Sequence, residues 1–208
     1  IGNNPAGVFY TEVESVFFAN HPYRNPVIGW EHEIKTYTPQ HVKDLYRKAY
    51  GPNNAILMLT GDLTIKEAKT LVEKYFGKIP PIKLDPRNRP QEPPFSAFKQ
   101  IQVPSELVDT PTFLVRYPAP NFKKLTWSQV FALLILQDVL AGSENSLLYK
   151  HFVETKKLAT HVGSDYRWGA VDPHSFSISF SVSAGQKEEL LEQEFKTFIN
   201  NLMKDGVS

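Results

Sequence analysis

The histidines and carboxylates are the side chains of this sequence that could do chemistry with a metal ion. A hydrolytic zinc site needs two imidazoles and a carboxylate that converge on the ion, and a further glutamate that activates its water. On one helix the two imidazoles must be four residues apart to share a face. No two histidines here are two, three or four residues apart, since the six lie at positions 21, 32, 41, 151, 161 and 174. The spacing therefore predicts no zinc site within these 208 residues.

Isolated titratable residues at three places are the remaining candidates for chemistry. Glu31, His32 and Glu33 are consecutive, so their side chains diverge on any regular element. His21 lies in a loop, where the sequence favours a packing and hydrogen-bonding role over a catalytic one. Asp62 follows a predicted strand and precedes a predicted helix. Turn formation and the positive end of that helix account for a carboxylate at this position.

Motifs for a nucleophile or for phosphate binding are missing from the sequence. It has no cysteine, which excludes disulfides, thiolate metal sites and a cysteine nucleophile. It also has no Gly-x-Ser-x-Gly motif. The run Gly142–Ser146 resembles a phosphate loop only in being small and polar, because no lysine follows it directly. We predict a turn between two helices there, with Asn145 or Ser146 capping the second helix.

Composition places the chain among ordinary globular proteins, with 41% apolar and 22% charged residues. The net charge of +1 is dispersed along the sequence and gives no electrostatic case for nucleic acid or an anionic membrane. The longest apolar run, residues 130–136, is far too short for a membrane span. Because the first residue is isoleucine, we expect the sequence to be a piece of a longer chain.

The stretch 21–80 is predicted to form a turn, a helix, a buried strand and a second helix. Thr38 is a natural N-cap for a helix that ends at Tyr50, before a Gly-Pro pair. Ala55–Gly61 is short and uniformly apolar, which indicates a strand covered on both faces. Thr64 and Glu67 form a capping box for the next helix.

The rest of the chain mixes strands and helices, which favours an α+β fold with helices packed on a largely antiparallel sheet. In the strand 174–184 the apolar residues alternate with serines, so the serines are expected to face outward. Residues 80–94 contain six prolines and are predicted to be an exposed connection. The other predicted elements are helices at 8–19, at 146–157, at 187–204 and after Thr126, with strands at 98–104, 112–120 and 161–168.

Several of these stretches together resemble one family. They are HPY with NPVIGW (21–30), the turn and apolar strand from Tyr50 to Asp62, YFGKIP (75–80) and SLLYKHFVETKKLAT (146–160). In order and spacing they resemble the insulinase/pitrilysin family of zinc peptidases, in its shorter bacterial and organelle-processing type. The positions that match the motifs, with structural roles expected, are His21, Pro22, Tyr23, Gly29, Tyr50, Pro52, Asn53, Asn54, Gly61, Asp62, Phe76, Gly77, Ser146, Leu148 and Tyr149.

The resemblance implies a metallohydrolase-like lobe of the kind found in mitochondrial processing peptidase. It also implies a parent zinc metalloendopeptidase that cleaves peptides in a chamber between two homologous halves. In that family an arginine and a tyrosine of the other half assist the reaction, and the matching positions here are Val153 and Thr160. The motif's own arginine is Leu147. Because the last zinc-binding glutamate would lie just upstream of Ile1, this chain is expected to be non-catalytic and to bind no cofactor.

By the same resemblance, residues 1–80 are the C-terminal remnant of the zinc-bearing lobe, 81–107 a Pro-rich connection and 108–208 the second lobe. The expected partners are the rest of the parent chain, its homologous second half and, for the parent, a peptide substrate. Apolar surface meant for the missing helices should make the fragment self-associate. A bacterial periplasmic or cell-envelope location is what the resemblance suggests. The alternatives are an inactive partner subunit of an assembly, or a module that binds extended peptides at a sheet edge.

Overall fold

The computed structural model describes residues 3–206, which fall into two compact units. Unit 1 extends to Val103 and unit 2 begins at Pro104. Among the described residues, no helix is both long enough and apolar enough to cross a membrane.

The longer helices of unit 1 start at side-chain caps. Its elements are α1 (Pro5–Phe17), α2 (Glu31–Ile34), α3 (Pro39–Ala49), α4 (Ile65–Phe76) and two short 3₁₀ turns (Pro22–Arg24 and Pro52–Asn54). The Thr38 hydroxyl accepts the His41 amide at 3.3 Å, as the sequence predicts. Thr64 and Glu67 form the predicted capping box, with Thr64 N donating to the Glu67 carboxylate at 2.8 Å. The predicted helices α3 and α4 are confirmed, and α1 begins earlier than predicted because Asn4 caps it.

The predicted strand Ala55–Gly61 is wrong for the described chain. No strand is present there, and Ile56 and Met58 are 90% and 85% exposed. The predicted strand 98–104 is also absent. A strand needs a neighbour to pair its backbone groups and to cover its side chains, and apolar sequence alone supplies neither.

Unit 2 is an antiparallel sheet with helices, which confirms the α+β prediction. Its elements in chain order are β1 (Thr112–Ala119), α5 (Trp127–Ala141), a π-helix (Tyr149–Thr155), β2 (Ala159–Tyr166), β3 (His174–Val182) and α6 (Glu188–Asp205). The strand order is β1-β3-β2, with both pairings antiparallel. Strand β3 is therefore the centre of this sheet.

The core of unit 2 packs on one face of β3. Ile178, Phe180 and Val182 are at most 2% exposed, as the alternating pattern predicts. They are packed with residues of both flanking helical elements, among them Leu148, Phe152, Leu191 and Phe195. The sequence predicts that the serines of β3 face outward, away from this core. Ser175 and Ser177 are nevertheless buried too. As β3 is the middle strand, Ser177 lies between Arg116 and Asp165 on its neighbours, whose longer side chains flank it.

The helix predicted at 146–157 is present but takes an unexpected form. Residues Tyr149–Thr155 are a π-helix, and Lys156 N donates to His151 O at 2.8 Å, a five-residue step. The predicted side-chain cap is not made: the Ser146 hydroxyl is buried without a hydrogen bond, while its carbonyl accepts the Lys150 amide at 3.1 Å.

Candidate functional site

Metal ligation is the first question that the structure addresses. Within residues 3–206, no three side chains of the His, Asp and Glu types are grouped so that they could hold a metal ion. Glu31 is occupied by an ion pair with Lys35 at 2.6 Å. His21 is enclosed by rings, and His151 is held by a carboxylate, as described below. The described residues therefore do not fit a zinc ion.

His21 organises the loop that carries the HPY motif. It is 2% exposed, and its Nδ1 accepts the Tyr23 amide at 3.2 Å, which caps the 3₁₀ turn Pro22–Arg24. Its ring lies 4.1 Å from the Tyr23 ring and 5.9 Å from the Phe18 ring, centroid to centroid. This geometry supports packing and turn formation rather than catalysis.

Glu92 lies in the Pro-rich segment and binds the backbone of the same loop. Its carboxylate accepts three backbone amides, from Ala19 at 2.6 Å and from Asn20 and His21 at 2.9 Å each. Burial acts to raise the pKa of Glu92, but the amides of Asn20, Ala19 and His21 outweigh it, with help from the charge of Lys99, and the pKa is lowered. Sequence reasoning missed Glu92 because a single glutamate among prolines carries no periodic signal.

Lys99 binds the C-terminal end of α1, next to the same loop. Its Nζ donates to the carbonyls of Val16 and Phe17 at 2.8 and 3.0 Å, where the helix leaves carbonyls unpaired. The rings of Phe17 and Phe95 lie 4.9 Å apart beside it. We call Glu92, Phe95 and Lys99 together the clasp, because they fix residues 92–99 along the end of α1 and the following loop.

The turn Pro52–Asn54, in the second family-like stretch, is hydrogen-bonded to Ile82, which precedes the clasp in sequence. Asn53 exchanges two hydrogen bonds with the backbone of Ile82, at 2.9 and 3.0 Å. Asn54 Nδ2 donates to the Ala49 carbonyl at the end of α3, at 2.7 Å. A Cβ at Gly51 would lie 2.6 Å from Ile82 Cγ1, so a larger residue there would displace the Ile82 side chain.

Asp62 is exposed and lines a shallow, open depression together with Lys66 and Glu67. The neighbouring Glu67 is already engaged in the cap of α4. The arrangement supports a turn and helix-start role for Asp62.

The last of the family-like stretches, residues 146–160, contributes packing rather than polar groups. Leu148 is fully buried, Ser146 is 5% exposed, and Val153 packs against the core of unit 2. Thr160 lies at the irregularity between Ala159 and His161 in β2, and its hydroxyl donates to Ser181 O at 3.4 Å. Valine has no polar atom and the threonine hydroxyl is used within the sheet, so neither residue reaches out to a substrate carbonyl.

His151, Lys156 and Glu194 form a polar cluster that the sequence did not reveal. His151 Nε2 lies 2.7 Å from Glu194 Oε1, and Lys156 Nζ lies 3.1 Å from the same oxygen. The five-residue step of the π-helix brings His151 and Lys156 to one side, opposite α6. Hydrogen bonds from His151 and then Lys156 lower the pKa of Glu194 against the opposing effect of burial. The cluster fastens the π-helix to α6.

The described residues thus form an α+β fold in which the motif positions hold turns, helix starts and core contacts, and no group of metal ligands is present among them. Comparison with known proteins gives the family: the model for the Peptidase M16 inactive domain matches residues 36–208. The chain belongs to this family, which confirms the resemblance to zinc peptidases.

Relatives and solved structures agree with this assignment. The chain is 24% identical to zinc protease PqqE of Helicobacter pylori over 99% of its own length and 46% of that protein. It is 23% identical to zinc protease YmxG of Bacillus subtilis, over 98% and 47% of the two lengths. A protease structure from H. pylori superposes with a TM-score of 0.79 at 24% identity, covering 100% of this chain and 49% of that one. A peptidase M16 inactive domain from Pseudomonas fluorescens gives 0.75 at 20%, covering 99% and 48%.

The chain thus spans less than half the length of these relatives. It is an inactive-domain module of a zinc protease family.

Proposed function

We propose that this chain is the scaffold of a larger zinc peptidase, in which residues outside it hold the zinc and cleave peptides. In this proposal residues 1–80 complete the zinc-bearing lobe, 81–107 connect the lobes, and 108–208 form the second lobe, which shapes the chamber wall. The homologous second half of the parent closes the chamber. The residues that match the family motifs act by holding turns and helix starts.

The segment Ala55–Gly61 is the observation that carries this proposal. It lies between the capped helices α3 and α4, yet its four central residues, Ile56 to Leu59, are 50–90% exposed. Apolar segments of this kind are covered on both faces where they form strands in folded proteins. More than half the length of the relatives lies outside this chain, so polypeptide is available to supply the missing strands.

A reconstitution experiment tests the pairing. The parent polypeptide preceding residue 1 is added to the chain, and amide hydrogen exchange is followed at residues 55–61. Exchange should slow markedly, because strand pairing protects backbone amides. A Met58→Glu variant should resist reconstitution, whereas Met203→Glu, at a 73% exposed position on α6, should not. Unchanged exchange with a folded partner present would overturn the proposal.

Activity and association of the chain alone follow from the same proposal. The isolated chain should not cleave fluorogenic peptides, and chelator-sensitive cleavage that survives repurification would contradict this. Its exposed apolar residues in unit 1 should make it self-associate, which light scattering measures. A clean monomer at high concentration would argue against that part.

An inactive partner subunit is the second candidate function, favoured by the valine and the threonine at positions 153 and 160, which match the arginine and the tyrosine of the family. The parent sequence ahead of residue 1 discriminates the two: an intact His-x-x-Glu-His means a peptidase, and its loss means a scaffold subunit.

A further inference from the structure

The two outer strands of the sheet in unit 2, β1 and β2, differ in how their free edges are covered. Each of them pairs with β3 on one side only, so each has a second edge with outward-facing backbone groups. In an antiparallel ladder, hydrogen-bonded pairs alternate with pairs whose backbone groups point away from the partner strand. The printed hydrogen bonds of both strands therefore identify which residues face outward.

The outer edge of β2 is closed by one side chain of α5. Gln137 Nε2 donates to Ser164 O at 3.3 Å, and Gln137 Oε1 accepts the Tyr166 amide at 3.1 Å. A residue of a neighbouring strand would use its own N–H and C=O groups in the same way. The Gln137 amide therefore takes the place of a strand at this edge. The irregularity between Ala159 and His161 interrupts the ladder nearer the start of β2.

The ladder between β1 and β3 sets the direction of each backbone group of β1. Val182 N donates to Pro111 O at 2.9 Å, so these two residues form a hydrogen-bonded pair. The register is regular, so every second residue of β1 after Pro111 forms such a pair with β3, beginning with Phe113 and Val115. Those residues use their N–H and C=O groups inside the sheet. The residues between them direct theirs outward.

Thr112 and Leu114 are the first residues of β1 whose backbone groups face outward. Among the described residues, no hydrogen bond reaches the backbone of either one from outside the sheet. Natural sheets protect a free edge with charges, bulges or prolines. From Thr112 to Arg116 there is no bulge and no proline, and the one charged side chain, that of Arg116, is half-buried. Pro118 is the first residue that prevents pairing, because it has no N–H.

The apolar side chains of β1 on the core side are also incompletely covered. Phe113 and Val115 pack against the core but are only half-buried, and Tyr117 is 44% exposed. At core-facing positions of β2, Val162 and Tyr166 are each 4% exposed, because α5 and the π-helix pack over that strand. A further strand beside β1, with apolar residues on the core side, would complete the cover.

We propose that an extended segment of the parent polypeptide, outside residues 1–208, adds to the sheet at the outer edge of β1. This inference rests on the proposed function, in which the chain is part of a longer peptidase. The chain spans less than half the length of its relatives, so polypeptide for this strand is available. The added strand pairs with Thr112 and Leu114, carries apolar residues on the core side, and ends its pairing before Pro118. It does not add to β2, because Gln137 occupies the groups there.

A second copy of the chain is the competing occupant, since two open edges can pair with each other. A segment of the same polypeptide has the advantage, because covalent linkage gives it an effective concentration on the order of millimolar. Dilution removes a second copy from the edge but leaves a linked segment in place. The two occupants are therefore distinguishable by their dependence on protein concentration.

Hydrogen exchange resolved to single amides compares the full-length parent with the isolated chain. In the isolated chain, the ladder should protect the amides of Phe113 and Val115, while the Leu114 amide exchanges fast. In the parent, the Leu114 amide should exchange roughly a hundredfold more slowly, because strand pairing protects it. The Tyr166 amide, which Gln137 accepts, is the internal control and should be protected in both.

A proline substitution tests the outward amide directly. Leu114→Pro removes this N–H, a change that the free edge of a strand tolerates. Leu114→Ala is the matched control, because it shortens the side chain and keeps the N–H. In the isolated chain the two variants should have similar melting temperatures. In the parent, Leu114→Pro should melt at least about 2 °C below Leu114→Ala.

The closed edge of β2 is tested through Gln137. In the isolated chain, Gln137→Ala should speed exchange of the Tyr166 amide roughly tenfold or more, because that amide loses its acceptor. Exchange at Leu114 should not change. The matched control is Gln193→Ala, at an exposed position of α6, which should leave both amides unaffected.

Three results would overturn the proposal. One is equally fast exchange of the Leu114 amide in the parent and in the isolated chain. Another is equal melting of Leu114→Pro and Leu114→Ala in the parent. The third is protection of Leu114 in the isolated chain that increases with protein concentration, which would assign the edge to a second copy. Protection of residues 55–61 in the parent without protection of Leu114 would remove this inference and leave the proposed function intact.

Discussion

Units 1 and 2 use the same kinds of local signals but reach different degrees of burial. Unit 2 has a sheet whose central strand is covered, and its core includes Phe152, Phe180 and Leu191 at 0–1% exposure. Among the described residues of unit 1, Phe18, His21 and Gly51 alone are classed as buried. Both units have capped helices. The difference shows that caps suffice to define helices, whereas burial requires a sheet with its neighbours in place.

The largest expected effect is in the core of unit 2. The Phe180 ring contacts Phe113, Phe152 and Phe195, so Phe180→Ala should lower the free energy of unfolding of this unit by about 3–5 kcal/mol. Urea unfolding followed by the fluorescence of Trp127 and Trp168 in a Trp30→Phe background measures it. The control Met203→Ala, at a 73% exposed position, should shift unfolding by no more than about 0.5 kcal/mol. If Phe180→Ala and Met203→Ala lowered the free energy of unfolding by similar amounts, the contrast between core and surface would be contradicted.

The clasp should carry the next largest effect, and it acts in unit 1. Glu92→Gln removes the charge that accepts three amides, which should weaken the local structure by about 1–3 kcal/mol. Hydrogen exchange at residues 19–21 should quicken, and trypsin should cut faster after Lys83 and Arg87.

The exposed Glu106→Gln is the matched control for the clasp. Because the folded-state pKa of Glu92 lies below its ordinary value, the clasp should also loosen as the pH falls through that folded-state pKa. His21, Lys99 and Arg24 are the other titratable groups at this junction. Unaltered exchange in Glu92→Gln would show that the clasp does not hold the loop.

The cluster at Glu194 should have a smaller effect, in unit 2. Its carboxylate is a quarter exposed, so Glu194→Gln should cost about 1 kcal/mol. The pKa of Glu194 is lowered from 4.5 on folding, so the unfolded chain takes up a proton first as the pH falls. The stabilisation is therefore complete above 4.5 and is lost as the pH falls through the folded-state pKa. Urea unfolding between neutral and acidic pH should be less pH-dependent in the variant, and an equal dependence would rule this role out.

The smallest effect is expected at the exposed apolar segment of unit 1. Ile56→Ser should change the stability of the isolated chain by no more than about 0.5 kcal/mol, because Ile56 is 90% exposed. The same change at Ile178, which is 2% exposed, should destabilise unit 2 severely. Thermal unfolding of both variants measures the contrast. A large loss from Ile56→Ser would mean that the segment is already covered in the isolated chain.

Much of the fold could be predicted because its signals are local. Thr126 and Gln129 form the predicted capping box of α5, and the apolar alternation in β3 identified the face that packs in the core. The π-helix could not be predicted, since apolar spacing does not distinguish a four-residue from a five-residue step. Neither could Glu92, whose amide partners lie more than 70 residues away. The family motifs drew attention to Val153 and Thr160 but gave no sign of the Glu194 cluster.

The sequence by itself determined the capped starts of α3, α4 and α5, which stretches are apolar, and that no histidine pair has the spacing of a helical metal site. Those properties depend on neighbours within a few residues. Only the tertiary structure decided that Ala55–Gly61 stays uncovered, that Ser175 and Ser177 are buried, and that an aromatic face of α5 is exposed. Burial and strand pairing depend on which distant segments are present to supply backbone partners and cover, and no local pattern specifies that.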